Sequence, residues 1–233
     1  MKLKTEREIM SEIKPIAKIY TQFPSKFGIP RQSGLADTEG MIVFEKEFRC
    51  AEAVRGIEGF SHLWLIWEFS EAKSSRWSPT VRPPRLGGNK RMGVFATRSP
   101  FRPNFLGLSS VELERVDMSL PDAPVLFVRG ADILDKTPVF DIKPYLPFTD
   151  SHPQAAGGFA AAEEKNNLAV RFETEIPPEF CSLLPTLQSL LENDPRPHYQ
   201  NDAGRVYSFE FAGYNIKFSC DGDAAVVSSI KKL

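Results

Sequence analysis

Short runs of β-branched and aromatic residues, each closed off by glycine or proline, fill the first 150 residues and leave no room for a long helix. Residues 13–20, 41–45, 62–69, 91–97, 106–116, 125–134 and 139–142 show period-two alternation or brief apolar runs. Phe27-Gly28-Ile29-Pro30, Arg82-Pro83-Pro84, Leu86-Gly87-Gly88 and Arg102-Pro103-Asn104 punctuate them. Proline lacks the amide donor that a central strand needs, so the 19 prolines belong at edges, turns and extended loops. One short helix is expected at 51–56. Strands without long helices predict an antiparallel sheet, closed as a barrel or packed as a sandwich.

The pattern changes after Pro153. Residues 154–162 are small and linker-like. Beyond them come a strand at 168–174 and apolar residues at helical spacing over 180–191, where Pro185 predicts a kink or split. A hairpin-like pair at 205–211 and 214–219 and a last strand at 224–230 follow. The chain thus reads as mainly β, with a β-barrel domain over 1–152 and a small α+β appendage over 153–233.

A net charge of -1 over 233 residues conceals a segregation. Residues 72–111 carry eight cations (Lys73, Arg76, Arg82, Arg85, Lys90, Arg91, Arg98, Arg102) and no acid, leaving 21 cations against 30 acids elsewhere. Such a block suits an anion-facing surface, although a solvated face that pairs with acids elsewhere explains it equally well. No run of about 18 apolar residues is present, so no membrane span is expected. The charged N-terminal stretch has no apolar core of a secretory leader. Cys50, Cys181 and Cys220 are odd in number and lack metal spacing; they read as reduced, mostly buried thiols of a cytoplasmic protein. Phosphate-binding glycine loops, HExxH and GxSxG are absent, and His62, His152 and His198 are too scattered to predict a metal site.

Four segments carry candidate chemistry. Residues 27–32 end in Arg31 and Gln32, which together offer a fork of donors and an amide for a carboxylate or a base edge. Residues 81–88 form a proline-stiffened stretch bearing Arg82 and Arg85. Residues 91–107 deliver Arg98 from a strand into a rigid loop holding Arg102 and Asn104, and prolines preorganise such a loop at low entropic cost. Residues 134–148 bring together Asp135, Thr137, Asp141, Lys143 and Tyr145. Strict alternation would put Asp141 on one face with Val139 and Lys143, with Phe140 and Ile142 opposite. Taken singly, the first, second and fourth have plain structural explanations: a tight turn, an edge loop and an ion pair.

Taken together they resemble a known family. Pro30-Arg31-Gln32, Val54-Arg55-Gly56-Ile57-Glu58, Phe60-Ser61-His62-Leu63-Trp64, residues 81–88, residues 93–104 and residues 141–147 occur in the order found in the TrmO family, the YaeB/TsaA-like β-barrel group of S-adenosylmethionine-dependent tRNA methyltransferases. The likeness is dense from about 14 to 151 and thinner beyond, where Asp194-Pro195-Arg196-Pro197 resembles the C-terminal signature. The resemblance implies a homodimer that methylates N6 of N6-threonylcarbamoyladenosine, the base just 3′ of the anticodon, within a tRNA anticodon stem-loop. It implies a cofactor pocket built from Pro30, Arg31, Gln32, His62, Leu63, Arg98, Leu108, Asp135, Lys136, Thr137 and Pro138. Two departures stand out: Phe105-Leu106 where the family commonly has Pro-Ile, and Lys136 where a glycine is common.

The chemistry of the residues fits that expectation. S-adenosylmethionine needs donors for its carboxylate, which Arg31 or Arg98 offers, and a partner for its amino or ribose groups, which Asp135 offers. Leu63, Leu108 and Pro138 could sandwich its adenine. The ureido-like acceptor nitrogen needs to lose a proton; Asp141 is the first candidate base and Tyr145 the second, with Lys143 or Arg102 facing the threonyl carboxylate. Arg82, Arg85, Lys90, Arg91 and Arg102 could grip RNA phosphates. No metal is expected. Two rivals remain: a non-catalytic RNA- or nucleotide-binding barrel, and a methyltransferase of the same fold with another acceptor.

Overall fold

The structure is a computed structural model, and it describes residues 12–72, 77–83, 90–160, 167–196 and 204–233. In chain order the strands of the first part are β1 (Ala17–Thr21), β2 (Glu39–Phe44), β3 (His62–Glu68), β4 (Thr80–Val81), β5 (Met92–Gly93), β6 (Leu106–Asp117), β7 (Val125–Arg129) and β8 (Thr137–Pro144). Six of them close into a barrel in the order β1-β2-β7-β6-β3-β8, antiparallel at every seam. Alternation in β3 turns Leu63, Leu65 and Trp67 into the interior, where they meet Ile19, Ile42, Val111, Leu126, Val128 and Val139. Each such side chain contributes about 1.5–3 kcal/mol when fully buried. The barrel, rather than a sandwich, follows from β8 pairing with both β1 and β3, which leaves no free edge.

Several sequence expectations shift. The strand expected over 91–97 is only Met92–Gly93, paired with the two-residue β4, and a 3-10 turn at Val94–Ala96 follows. Phe95, in that turn, is 73% exposed. The strand expected over 125–134 stops at Arg129, because Gly130 turns the chain with φ +78°. The expected helix near 51–56 is a 3-10 turn at Ala51–Val54. Of the three thiols only Cys220 is buried; Cys50 and Cys181 are exposed.

The face assignment of Asp141 is corrected by the register. Ile66 stands opposite Asp141 and Trp67 opposite Val139, so Phe140 is an extra residue in β8. This bulge resets the alternation: Val139 and Ile142 both face the barrel core, while Asp141 and Lys143 lie outside beside Ile66 and Trp64.

The barrel part closes with α1 (Pro147–Asp150), whose Asp150 accepts from Trp64 Nε1 at 2.8 Å, and the second part holds β9 (Ala169–Phe172), α2 (Leu184–Glu192), β10 (Tyr207–Phe211), β11 (Tyr214–Asp221) and β12 (Ala224–Lys232). The last four strands pair as β10-β11-β12-β9, and only the β12–β9 pair is parallel. Pro185 splits its segment: a 3-10 turn (Pro178–Leu183) precedes α2, and the proline sits in the first helical turn, where a missing N–H is harmless.

The two parts are held together by the loop between β1 and β2. Phe23 and Ala36 are buried in the core of the second sheet, with Phe27 and Ile29 packed against it. Gly28 makes this approach feasible, since its φ is +98° and a Cβ there would lie 2.5 Å from the Phe209 ring. Arg31 donates from Nη2 to the carbonyls of Asp194 (3.1 Å) and Arg196 (2.6 Å).

Candidate functional site

One end of the barrel is ringed by the C-terminal ends of β1, β3 and β7 and the N-terminal ends of β2, β6 and β8. A cavity of about 710 Å³ opens there, within the size range of small-molecule sites. Its walls come from residues 26, 29–32, 67–72, 97–98, 100–102, 106–108, 132, 134 and 137. Pro30, Arg31, Gln32, Arg98, Leu108 and Thr137 are thus brought together, joined by Arg102. Leu106 and Leu108, 36% and 57% exposed, provide apolar wall, as do Ile29 and Leu134.

The polar groups are braced. Gln32 accepts from Arg98 Nη1 and donates from Nε2 to the Arg31 carbonyl at 2.5 Å, so its amide orients the guanidinium. Arg31 lines the cavity while anchoring the turn at 194–196. In that turn Arg196 grips Asp194 with two hydrogen bonds of 2.8 Å. Burial pushes the Asp194 carboxyl up, but the Arg196 guanidinium outweighs it and holds the carboxyl below its usual range.

One cavity residue escapes a reading by motif. Asp132 sits on the wall between Ala131 and Ile133, both fully buried. Its Oδ1 accepts from Ser109 Oγ at 2.5 Å, and that hydroxyl in turn accepts from Trp67 Nε1 at 3.0 Å. Burial pushes the Asp132 carboxyl up, against the pull of Ser109 and of the Arg98 charge. A lone carboxylate within the apolar run 131–134 was the available signal, but the run looked like the end of a strand.

Other expected site residues stand apart from the cavity. Leu63 is fully buried in the barrel core. Asp135 accepts from the Thr21 amide at 3.0 Å and pairs with Lys136 at 3.8 Å. Lys136 adopts the left-handed conformation (φ +62°), which explains why glycine suits this turn. Pro138 pairs with Lys18 of β1. His62 is exposed at the far end of β3, five residues from Trp67, a distance of roughly 17 Å along the strand. Its carbonyl accepts from the Tyr145 amide, and the Tyr145 ring lies tilted against Trp64 with centres 5.6 Å apart. Asp141 and Lys143 form an ion pair of 2.9 Å on the outer wall. Asp141 shares a row with Ile66 and Leu108, two strand spacings, or about 10 Å, from the latter.

A larger groove, about 1610 Å³, adjoins the cavity and shares Arg31, Gln32, Thr97, Arg98, Pro100, Phe101 and Arg102 with it. Arg82 and Arg91 line it, along with Trp77, Phe95 and Phe101, which are 54%, 73% and 56% exposed. Arg91 Nη1 bonds Thr80 Oγ1 at 3.1 Å. Arg102 donates to the Val94 (3.3 Å) and Thr97 (2.7 Å) carbonyls and lies 5.9 Å from the Phe95 ring centre. Lys90 is exposed nearby; Arg85 lies outside the described residues, as do His198 and Tyr199. Among the described residues no helix is long and apolar enough to cross a membrane, and no set of His, Cys, Asp or Glu is placed to hold a metal ion.

Fold and site together define a class: a closed antiparallel barrel whose end cavity, of a size for a small ligand with both charges, opens onto a basic groove edged by exposed aromatic rings. The tRNA-methyltransferase O N-terminal domain matches residues 18–151, and the TrmO C-terminal domain matches residues 165–233. A tRNA (adenine(37)-N6)-methyltransferase of Escherichia coli K12 is 41% identical over 217 residues, covering 89% of this chain and 92% of that protein. One from Eikenella corrodens is 46% identical over 175 residues, covering 73% and 97%. The crystal structure of TrmO from Pseudomonas aeruginosa superposes with a TM-score of 0.76 at 31% identity, covering 95% of this chain and 99% of that one. The chain belongs to the TrmO family.

Proposed function

We propose that this protein is a cytoplasmic, S-adenosylmethionine-dependent tRNA methyltransferase acting on N6 of N6-threonylcarbamoyladenosine at position 37. The family and its named relatives support the reaction class. The observation that carries it for this chain is the cavity holding both Arg98 and Asp132 and opening directly onto the basic aromatic groove. A barrel that only bound RNA would have no use for such a two-charge cavity.

The residues present fit the cofactor. Ile29, Leu106, Leu108 and Leu134 offer apolar wall for an adenine, and Arg98, oriented by Gln32, offers donors for a carboxylate. When bound, the cofactor supplies an electrophilic methyl group on a sulfonium. The protein aligns the acceptor nitrogen, excludes water and accepts a proton. In the groove, Trp77, Phe95 and Phe101 would stack on unpaired bases of the anticodon loop, while Arg82 and Arg91 meet its phosphates. Asp141 is the proposed base and Tyr145 the second candidate, with Lys143 or Arg102 facing the threonyl carboxylate. Pro30 and Thr137 complete the pocket in this reading, with the turn at 135–136 carrying Thr137 to its wall, and a domain boundary lies near 152–153.

These residues fall into two groups that a single chain leaves apart: the cavity group around Arg98, and His62, Asp141, Lys143 and Tyr145 on the outer wall. A homodimer in which one protomer's outer wall covers its partner's cavity would unite them, and would cover Leu108 as well. The direct test is incubation with labelled S-adenosylmethionine and tRNA bearing threonylcarbamoyladenosine, followed by digestion and mass identification. Label on that nucleoside is expected; label elsewhere, or none, overturns the assigned acceptor.

Arg91→Ala is expected to weaken tRNA binding and reduce the slope of log affinity against log salt by about 1, with cofactor affinity unchanged. An unaltered slope, measured by titration across salt concentrations, would remove Arg91 from the RNA surface.

A further inference from the structure

Building on the cofactor reading above, we propose that Asp132 binds the α-ammonium of the cofactor's amino acid end, beside Arg98, which binds its α-carboxylate. A zwitterionic amino acid carries opposite charges on adjacent atoms, so its receptor needs a cation and an anion side by side. Arg98 and Asp132 line the same cavity, and the Arg98 charge favours the ionised Asp132 carboxyl. Both are fixed before a ligand arrives: Arg98 by Gln32, Asp132 through Ser109 and Trp67. Ser109 is itself only 1% exposed, so this brace is shielded from water.

The other acids near the cavity are less suited. Glu71 pairs with Lys26 at 3.3 Å on an exposed rim. Glu68 lines the cavity too, but its side chain alternates away from the barrel interior, where Ser109 and Trp67 brace Asp132. Asp135, the sequence-based choice for this role, holds the Thr21 amide and does not line the cavity. Burial already pushes the Asp132 carboxyl up, and a bound cation would favour its ionised form again. A purely structural acceptor for Ser109 would need no charge; asparagine would serve.

Calorimetric titration of the whole protein tests this with three probes: S-adenosylmethionine, S-adenosylhomocysteine and methylthioadenosine, which lacks the amino acid end. Asp132→Asn keeps the shape and an acceptor for Ser109 while removing the charge. It is expected to weaken the first two by about 10- to 100-fold each and to leave methylthioadenosine unchanged. Loss confined to S-adenosylmethionine would move Asp132 to the sulfonium and overturn the assignment. Equal loss for all three, or affinities within twofold of wild type, would also overturn it. If the variant does not fold, the wild type decides: it should bind the des-amino analogue of S-adenosylhomocysteine at least tenfold more weakly than the parent, and equal binding refutes the proposal. A wild-type protein that binds no S-adenosylmethionine would instead overturn the cofactor reading itself.

Discussion

Mixing Arg98→Ala protein with Lys143→Ala protein is expected to restore methyl transfer that each variant alone has largely lost. Arg98 lines the cavity and Lys143 stands on the outer wall, ion-paired with Asp141 and 63% exposed, so neither truncation opens the barrel core. Loss of a charge-assisted contact to the cofactor or to the threonyl group should lower single-turnover rates about 100-fold in each parent. If each site takes its cavity from one protomer and its outer wall from the partner, a mixed dimer places both substitutions in one site and leaves the other intact. Random reassortment makes half of the dimers mixed, so activity should return to about one quarter of wild type. Mass-verified mixed dimers with activity no higher than their parents would mean that each site is built within one chain.

The second large effect is expected at Gly107, which faces Trp67 across the β3–β6 pair. A Cβ there would lie 2.3 Å from the Trp67 ring, whose Nε1 holds Ser109 and through it Asp132. The indole cannot retreat freely, because Phe69 packs against it with ring centres 4.3 Å apart. Gly107→Ala should therefore destabilise the barrel by about 3 kcal/mol through overpacking. The midpoint of thermal unfolding would fall by roughly 6–12 °C for a chain of this size. The displaced indole should also release Ser109 and reduce cofactor affinity. A melting curve within about 2 °C of wild type would show that the wall yields without strain.

Strand and turn placement was legible in the sequence because it depends on local features. Alternation over 62–69, the run at 106–116 and proline or glycine at their ends set β3 and β6 within a residue or two, and Pro185 announced the split before α2. The loops that supply Pro30, Arg31, Gln32 and Arg98 to the cavity were also recognisable, since prolines and clustered cations persist as a pattern whatever the chain does around them.

Only the tertiary structure decided which face, which partner and which acid. The bulge at Phe140 depends on the register of β8 against β3, a pairing across more than seventy residues, and it carries Asp141 to the outer wall where alternation alone would have put it beside Val139. Arg31 became an anchor for the turn at 194–196 because the loop after β1 is buried in the second core, a contact no local pattern encodes. Asp132 is braced by Ser109 and Trp67, brought to it by the closure of the barrel. Backbone propensity and turn chemistry act within a few residues, whereas a site's charges are paired, buried and aimed by whichever strands happen to be neighbours.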